Sequence, residues 1–167
     1  MTRPAGAIRQ QIALFFQAGF QFSPNFARSF AKKRGMQDTP NTFDAPMTAL
    51  PKAKWFRALK HMAEAEGFYA PLGPKHAAAF VEDGDTLIVT FESYQGIQAL
   101  SETAQPLGWD MVRAMGWSHL GVICDGETWF RTEEVYTFFD ELTDDGFFDE
   151  FDRVVFYGAG PCGYAAA

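Results

Sequence analysis

Cysteine is scarce in this sequence, with only Cys124 and Cys162 among 167 residues. Two isolated cysteines build no disulfide framework, so a disulfide-stapled secreted domain is excluded, and their spacing matches no cysteine-based metal site. Because disulfide-rich proteins belong to oxidising compartments, this low content favours a reducing, cytoplasmic location. We therefore expect no bound metal.

Long apolar segments are absent as well. No run approaches the roughly 18 to 20 residues that a membrane-spanning helix needs, so we expect no membrane association. The short apolar run at residues 12–16 follows Arg3 and Arg9, but no small-residue cleavage site comes after it. Because a secretory signal needs that site, we expect the protein to stay in the cytoplasm.

Basic residues are scarce in the second part of the chain. Residues 76–167 contain 3 Lys and Arg against 17 Asp and Glu, whereas residues 1–75 contain 11 against 4. Nucleic-acid binding depends on Lys and Arg contacts to phosphate, so the acidic composition disfavours that function class for the main domain, and we expect no nucleic-acid partner. A strongly acidic surface indicates a soluble protein.

Phenylalanine, by contrast, is abundant, with 18 residues in a composition that is 47% apolar. This length and composition predict one domain with a substantial core and an N-terminal extension. We place a Phe-rich basic helical arm at residues 1–70, with a helix at 7–17, and the main domain at residues 71–167. The basic cluster of the arm, Arg28 and residues 32–34, is expected to contact the acidic body or a partner subunit, so a homo-oligomer stays open.

Hydrophobic periodicity predicts the first elements of the main domain. A helix begins after Pro51 and ends at Gly67, with its apolar residues on one side. Strands at 77–81 and 86–91, separated by Glu-Asp-Gly-Asp, are typical of a β-hairpin. The nearly continuous apolar and β-branched composition of the second strand indicates burial on both faces.

Further along the chain, helices and strands alternate. A short helix over 109–115 leads to a buried strand at 119–124, and Thr132 begins a helix with an apolar stripe that ends at Gly146. A strand at 153–157 and a glycine turn follow. This alternation predicts an α/β fold with a mostly parallel sheet and flanking helices.

The glycine turn is the most informative motif. Gly158-Ala159-Gly160-Pro161-Cys162-Gly163 follows an apolar strand and opens a helix. The turn fits G-x-G-x-x-G and resembles the flavoprotein dinucleotide-binding fingerprint. That site also needs an acidic residue about 20 positions later and a further strand, and the sequence supplies neither. Flavin or nicotinamide dinucleotide binding stays an alternative.

The same turn also fits the nucleophile elbow of α/β hydrolases, a sharp strand-to-helix bend with the pattern G-x-S-x-G. Hydrolase elbows often have the sequence Tyr-Gly-Ser-Ser-Met-Gly-Gly-Tyr-Ala-Ala, and residues 157–166 resemble it. From residue 76 onward, the order of strands and helices also resembles that of an α/β hydrolase up to its elbow. The resemblance implies an incomplete α/β-hydrolase-like three-layer sandwich, truncated after the elbow.

Two positions differ from the pattern of that family. The nucleophile position falls on Gly160, which has no side chain to attack a substrate, and the glycine two residues later is Cys162. Glycine relieves the strained dihedral angles of an elbow. Cys162 is a candidate nucleophile if the helix N-terminus lowers the pKa of its thiol, but its place in the first helical turn favours a small packed side chain.

The whole chain also resembles a group of bacterial α/β-hydrolase-like proteins of unknown function. The resemblance includes the Phe-rich arm and the stretch from Gly108 to Asp125. Members often carry the label phosphoadenosine phosphosulfate reductase. That reductase has a Ser-Gly-Gly phosphate loop after an early strand and a C-terminal Glu-Cys-Gly segment, and this sequence contains neither.

Polar residues after two buried strands complete the candidate site. Glu92, Ser93 and Tyr94 follow one strand, at the place where hydrolases build part of the oxyanion hole. Asp125 ends the next strand. In open α/β sheets, ligands bind at the carboxyl ends of the strands, although turn formation with Gly126 would explain Asp125 equally well.

Histidine is limited to His61, His76 and His119. In α/β hydrolases the catalytic histidine comes after the elbow, so the resemblance gives none of the three that role. We interpret His61 as a residue of a helix surface and the other two as structural residues at strand starts.

Together, these motifs favour an α/β-hydrolase-like protein without ordinary serine-hydrolase activity, a pseudo-hydrolase that binds a small molecule or a partner at the carboxyl edge of the sheet. An active ester or acyl hydrolase with an unusual nucleophile is the enzymatic alternative. In that alternative, backbone N–H groups of residues 158–163 and the loop 92–94 stabilise the oxyanion. No cofactor is expected for the pseudo-hydrolase.

Overall fold

The computed structural model describes residues 46–167. The predicted helix at 7–17 and the basic cluster of the arm lie outside the described residues. The elements of the described part are, in chain order, α1 (Lys52–Glu66), β1 (Gly67–Leu72), β2 (His76–Val81), β3 (Thr86–Ser93), α2 (Tyr94–Leu100), α3 (Leu107–Met115), β4 (Ser118–Cys124), α4 (Glu133–Asp144), a 3-10 helix (Phe147–Glu150), β5 (Arg153–Gly158) and α5 (Pro161–Ala166).

The five strands form one mixed sheet in the order β1-β2-β4-β3-β5. β2 is antiparallel to both of its neighbours, β1 and β4, whereas β3 runs parallel to β4 and β5. The carboxyl ends of β3, β4 and β5 therefore lie at the same edge of the sheet. The predicted α/β character is confirmed, with the parallel pairing confined to these three strands.

Alternating strand residues separate two apolar clusters, one on each face of the sheet. On one face, Ala78 and Phe80 pack in a cluster with residues of α4 and the 3-10 helix. On the other face, Ala79 and Val81 pack in a cluster with residues of α1, α2 and α3. Every residue of β2 and β4 is buried, as expected for strands that are covered on both sides.

Helix α1 forms as its apolar periodicity predicts. Its buried residues are spaced one, three or four apart and share one face: Trp55, Leu59, Met62 and Ala63. The indole of Trp55 donates a hydrogen bond from Nε1 to the carbonyl of Ala104 at 2.7 Å. Because β1 begins directly at Gly67, the domain boundary predicted after residue 70 falls inside this strand, and α1 packs in the same core as the sheet.

The predicted hairpin of residues 77–81 and 86–91 is wrong in its pairing. β2 forms its hairpin with the preceding strand β1, with Leu72 opposite His76, while β3 pairs with β4 and β5. Proline and glycine around position 71 are typical of a connection, which is why the sequence did not predict β1. A proline is tolerated there because β1 is an edge strand of the described sheet.

Candidate functional site

A sharp bend joins β5 to α5 at the carboxyl edge of the sheet. Gly160 stands at its tip with φ 57° and ψ −128°, a backbone conformation that residues other than glycine adopt only under strain. A Cβ atom placed on Gly160 would meet nothing within 4 Å in the described part of the chain. The tip therefore has room for a side chain and carries none.

Gly158 and Gly163 flank the tip, where the helix meets the strand. A Cβ on Gly158 would collide with the backbone carbonyl of Cys162, and a Cβ on Gly163 would lie 2.9 Å from the carbonyl oxygen of Gly158. Both glycines are required by this close packing. Packing thus accounts for two of the three glycines in the motif.

The two backbone N–H groups that follow Pro161 in the bend have internal partners. Pro161 has no N–H to donate. The N–H of Cys162 donates to the carbonyl of Ala159 at 3.2 Å, and that of Gly163 donates to the carbonyl of Gly160 at 3.0 Å. In a hydrolase elbow, the residue after the nucleophile supplies one N–H of the oxyanion hole. Here proline occupies that position, and the next two N–H groups are engaged within the bend.

Cys162 is half-buried and packs against the apolar cluster on the α4 face. Burial raises the pKa of its thiol and the negative charge of Glu92 raises it further, while a hydrogen bond to the backbone of Ser93 opposes them. A nucleophilic thiolate requires a lowered pKa. Burial and Glu92 thus oppose the lowered pKa that a nucleophilic Cys162 needs.

Glu92 lies at the carboxyl end of β3 and forms two hydrogen bonds. Its Oε1 accepts from the hydroxyl of Thr90 at 2.7 Å, and its Oε2 accepts from the backbone N–H of Leu107 at 3.0 Å. Leu107 is the first residue of α3, so the carboxylate stabilises the N-terminus of this helix. Burial raises the pKa of Glu92 despite these bonds, and the charge of Asp110 adds to the rise.

His119 extends this network into the core. Its Nε2 lies 2.8 Å from Thr90 Oγ1, and its Nδ1 has no hydrogen-bond partner among residues 46–167. Gly108 of α3 lies so close that a Cβ there would overlap the imidazole ring. Burial lowers the pKa of His119 to about 3, so the ring is neutral near pH 7.

Ser93 and Tyr94 have structural roles at the start of α2. Ser93 Oγ accepts a hydrogen bond from the N–H of Gly96 at 2.9 Å, which is the bond of a helix N-cap. Tyr94 packs its ring against the edge of Trp55, with the ring centroids 5.1 Å apart. Both side chains are engaged within α2 and against α1.

Asp125 joins the end of β4 to two helices. Its carboxylate forms an ion pair with Lys52 at the start of α1 and accepts a hydrogen bond from Gln95 Nε2 of α2 at 3.1 Å. The N–H of Gly126 donates to Gln95 Oε1, also at 3.1 Å. The bond to Lys52 lowers the pKa of Asp125, so this carboxylate is ionised near neutral pH. These contacts give Asp125 a structural role between three elements.

An exposed aromatic surface borders the bend, and no motif in the sequence pointed to it. Trp129 is 50% exposed and Tyr164 of α5 is 63% exposed, with ring centroids 6.1 Å apart. The guanidinium of Arg131 lies 5.7 Å from the Tyr164 ring centroid. We call Trp129, Arg131 and Tyr164 the aromatic rim. Trp129 and Phe130 both have φ of 55°, and two consecutive left-handed residues of this size indicate local strain.

A shallow groove of about 480 Å³ lies elsewhere, between α1 and β1. It is lined by Phe56, Arg57, Lys60, His61, Glu64 and Tyr69. β1 and β5 are at opposite edges of the sheet, so the groove and the bend are separate features. The residues predicted for the candidate site do not line this groove.

Comparisons of the chain with protein-family models, curated proteins and solved structures found no match. None of the helices between residues 46 and 167 combines the length and the apolar composition of a membrane span. Over the same residues, no group of three or more His, Cys, Asp and Glu side chains is arranged to hold a metal ion. The candidate site thus consists of a bend with glycine at its tip, a hydrogen-bonded carboxylate and the aromatic rim.

Proposed function

We propose that this protein is an α/β-hydrolase-like pseudo-hydrolase, which binds a small molecule at the carboxyl edge of its sheet and does not hydrolyse esters by serine chemistry. The observation that carries the proposal is Gly160. It occupies the tip of a strand-to-helix bend, where a nucleophile elbow presents its serine, and it has the positive φ and the open space but no side chain.

The order of elements supports the hydrolase-like part of the proposal. After α1, an antiparallel hairpin is followed by β3, helices, β4, a helix and then β5 with the bend and α5. The chain of an α/β hydrolase reaches its elbow through this same order. Apolar clusters on both faces of the sheet are what a three-layer sandwich requires.

Two features of the bend support the absence of hydrolysis. Pro161 stands where an oxyanion-hole N–H is needed, and the pKa of the Cys162 thiol is raised by burial. A protein that retained an active alternative nucleophile would need the opposite in both respects.

The aromatic rim supports ligand binding. Exposed tryptophan and tyrosine side chains supply large, rigid contact surfaces at a low entropic cost, and such residues are enriched at binding sites. Tyr164 is carried by α5, directly after the bend, and Trp129 follows the end of β4. A molecule at the carboxyl edge would lie within reach of both rings.

Release of p-nitrophenol from p-nitrophenyl butyrate tests the catalytic half of the proposal. We expect the wild type, Gly160→Ala and Cys162→Ala to release it no faster than buffer alone. Wild-type turnover that Cys162→Ala abolishes would overturn the proposal and establish an unusual nucleophile.

Quenching of tryptophan fluorescence by the same ester tests the binding half. We expect saturable quenching in the wild type and in the control Trp117→Phe, and its loss in Trp129→Phe. The same titration with FAD and NAD addresses the dinucleotide alternative. If FAD or NAD quenches the fluorescence saturably and the ester does not, the dinucleotide alternative would replace our proposal.

A further inference from the structure

Thr90, Glu92 and His119 form a hydrogen-bonded chain across the neighbouring strands β3 and β4. Thr90 Oγ1 lies 2.7 Å from Glu92 Oε1 and 2.8 Å from His119 Nε2. The side chains of Thr90 and His119 are both fully buried. Because a threonine hydroxyl has a single proton, Thr90 can donate to only one of its two neighbours at a time.

The direction of both bonds is fixed while Glu92 is ionised. A carboxylate can only accept, so Thr90 must donate to Glu92. Thr90 then accepts from His119, which places the ring proton on Nε2. This tautomer leaves Nδ1 unprotonated, and that atom has no hydrogen-bond partner in the described part of the chain.

Protonation of Glu92 reverses both bonds. Oε2 accepts from the backbone N–H of Leu107, a donor that cannot change direction, so the added proton is favoured on Oε1. Glu92 then donates to Thr90, and Thr90 donates to His119 Nε2. The ring proton must consequently lie on Nδ1. In this change the Nε2 proton passes to Thr90, the Thr90 proton passes to Glu92 Oε1, and one solvent proton is bound at Nδ1 during transient opening of the core, so the imidazole stays neutral.

We propose that Glu92, Thr90 and His119 form a proton-coupled switch, in which the protonation of Glu92 at the edge of the sheet sets the tautomer of His119 in the core. Both ends of the chain contact α3. Glu92 stabilises the N-terminus of that helix, and the His119 ring lies against Gly108 in its first turn. Proton uptake therefore removes a negative charge from the helix N-terminus and changes the polarity of the ring that faces it.

The surroundings separate the pKa values of Glu92 and His119, as the switch requires. On this face of the sheet, the ionisable side chains of α3, β5 and α2 near the chain are Asp110 with its partner Arg113, Tyr157 and Tyr94. Cys162 of α5 packs on the opposite face and interacts electrostatically with Glu92. Burial and Asp110 raise the pKa of Glu92, whereas burial lowers the pKa of His119 to about 3. Glu92 accordingly takes up its proton at a pH where His119 is still neutral.

Long-range ¹H–¹⁵N NMR of the full chain, recorded from about pH 8 down to about pH 4, tests the switch through the ring nitrogens of His119. We expect the Nε2–H tautomer at high pH and the Nδ1–H tautomer at low pH. The change should share its midpoint with the carboxyl ¹³C shift of Glu92 in the same sample. A ring that keeps its Nε2 proton throughout the Glu92 titration, or that becomes charged with it, would overturn the proposal.

Two controls separate the switch from a general acid effect. Thr90→Val keeps the shape but removes the hydroxyl, so the tautomer of His119 should no longer follow Glu92, and Thr90→Ser should restore the coupling. His76 is an internal reference, because its Nε2 also lies close to a threonine hydroxyl, 2.6 Å from Thr128 Oγ1. In the described part of the chain, that hydroxyl is not hydrogen-bonded to a carboxylate. A tautomer change of His76 at the Glu92 midpoint would count against the proposal. If Thr90→Val fails to fold, the wild-type titration alone decides.

Discussion

Gly108 shows how one missing Cβ atom shapes the core of this protein. In most helix interiors, replacing glycine by alanine stabilises by about 0.5 to 1 kcal/mol. For Gly108→Ala we expect the opposite, a loss of about 1 to 3 kcal/mol, because the new Cβ would overlap the ring of His119. Urea denaturation of the wild type and the variant measures this difference.

A double-mutant cycle with His119→Ala assigns that loss to the contact between the two residues. Once the ring is removed, Gly108→Ala should have a much smaller effect on the free energy of unfolding. An equal loss in both backgrounds would show that the glycine is needed for another reason.

His119 also predicts how stability depends on pH. Its pKa is about 3 in the folded protein and about 6.5 in an unfolded chain, so between these values the unfolded state binds more protons. The free energy of unfolding should therefore fall as the pH drops below about 6.5, by up to about 1.4 kcal/mol per pH unit from this residue. His119→Gln should flatten the dependence, measured by denaturation between about pH 6.5 and 4, and an unchanged slope in this variant would contradict the expectation.

At the scale of elements, the bend between β5 and α5 contains two glycines that are needed for different reasons. Gly160→Ala introduces only backbone strain, about 1 to 2 kcal/mol, because its Cβ would meet open space. Gly158→Ala should be more destabilising, because its Cβ would force α5 away from β5. Thermal unfolding of both variants gives the comparison, and equal midpoints would contradict the close packing seen at the bend.

The elements that the sequence predicted correctly have strong local signals. α1 and α4 carry apolar stripes that end at glycines, and β4 is a continuous apolar run between polar turns. β1 has no such signal, because proline and glycine interrupt it. The pairing of β2 could not be predicted either, since it depends on which distant strand lies beside it in the sheet.

The candidate site was predictable to a similar extent. The place of the bend follows from its glycines, but the partners of the polar residues do not. Thr90 and His119 are 29 positions apart and meet only because β3 and β4 pair in parallel register. Likewise, Asp125 is engaged by α1 and α2, and no local pattern indicates that contact.

At the scale of the whole molecule, charge is distributed unevenly. Residues 76–167 hold 17 acidic side chains against 3 basic ones, and like charges at this density repel each other in the compact state. Added sodium chloride should screen the repulsion, and a gain of about 1 kcal/mol would raise the melting temperature by about 4 °C. Thermal unfolding at low and moderate salt checks this expectation, which a fall in melting temperature would contradict.

Helix α1 runs into β1 without a connecting residue, since Glu66 ends one and Gly67 begins the other. β1 pairs only with β2 in the described sheet, and a Cβ on Gly67 would collide with the carbonyl of Phe80. Because no loop connects the two elements, α1 cannot separate from the domain without displacing β1. In a partial unfolding event, α1 and β1 should therefore unfold together. Native-state hydrogen exchange would then give their amides the same free energy of opening.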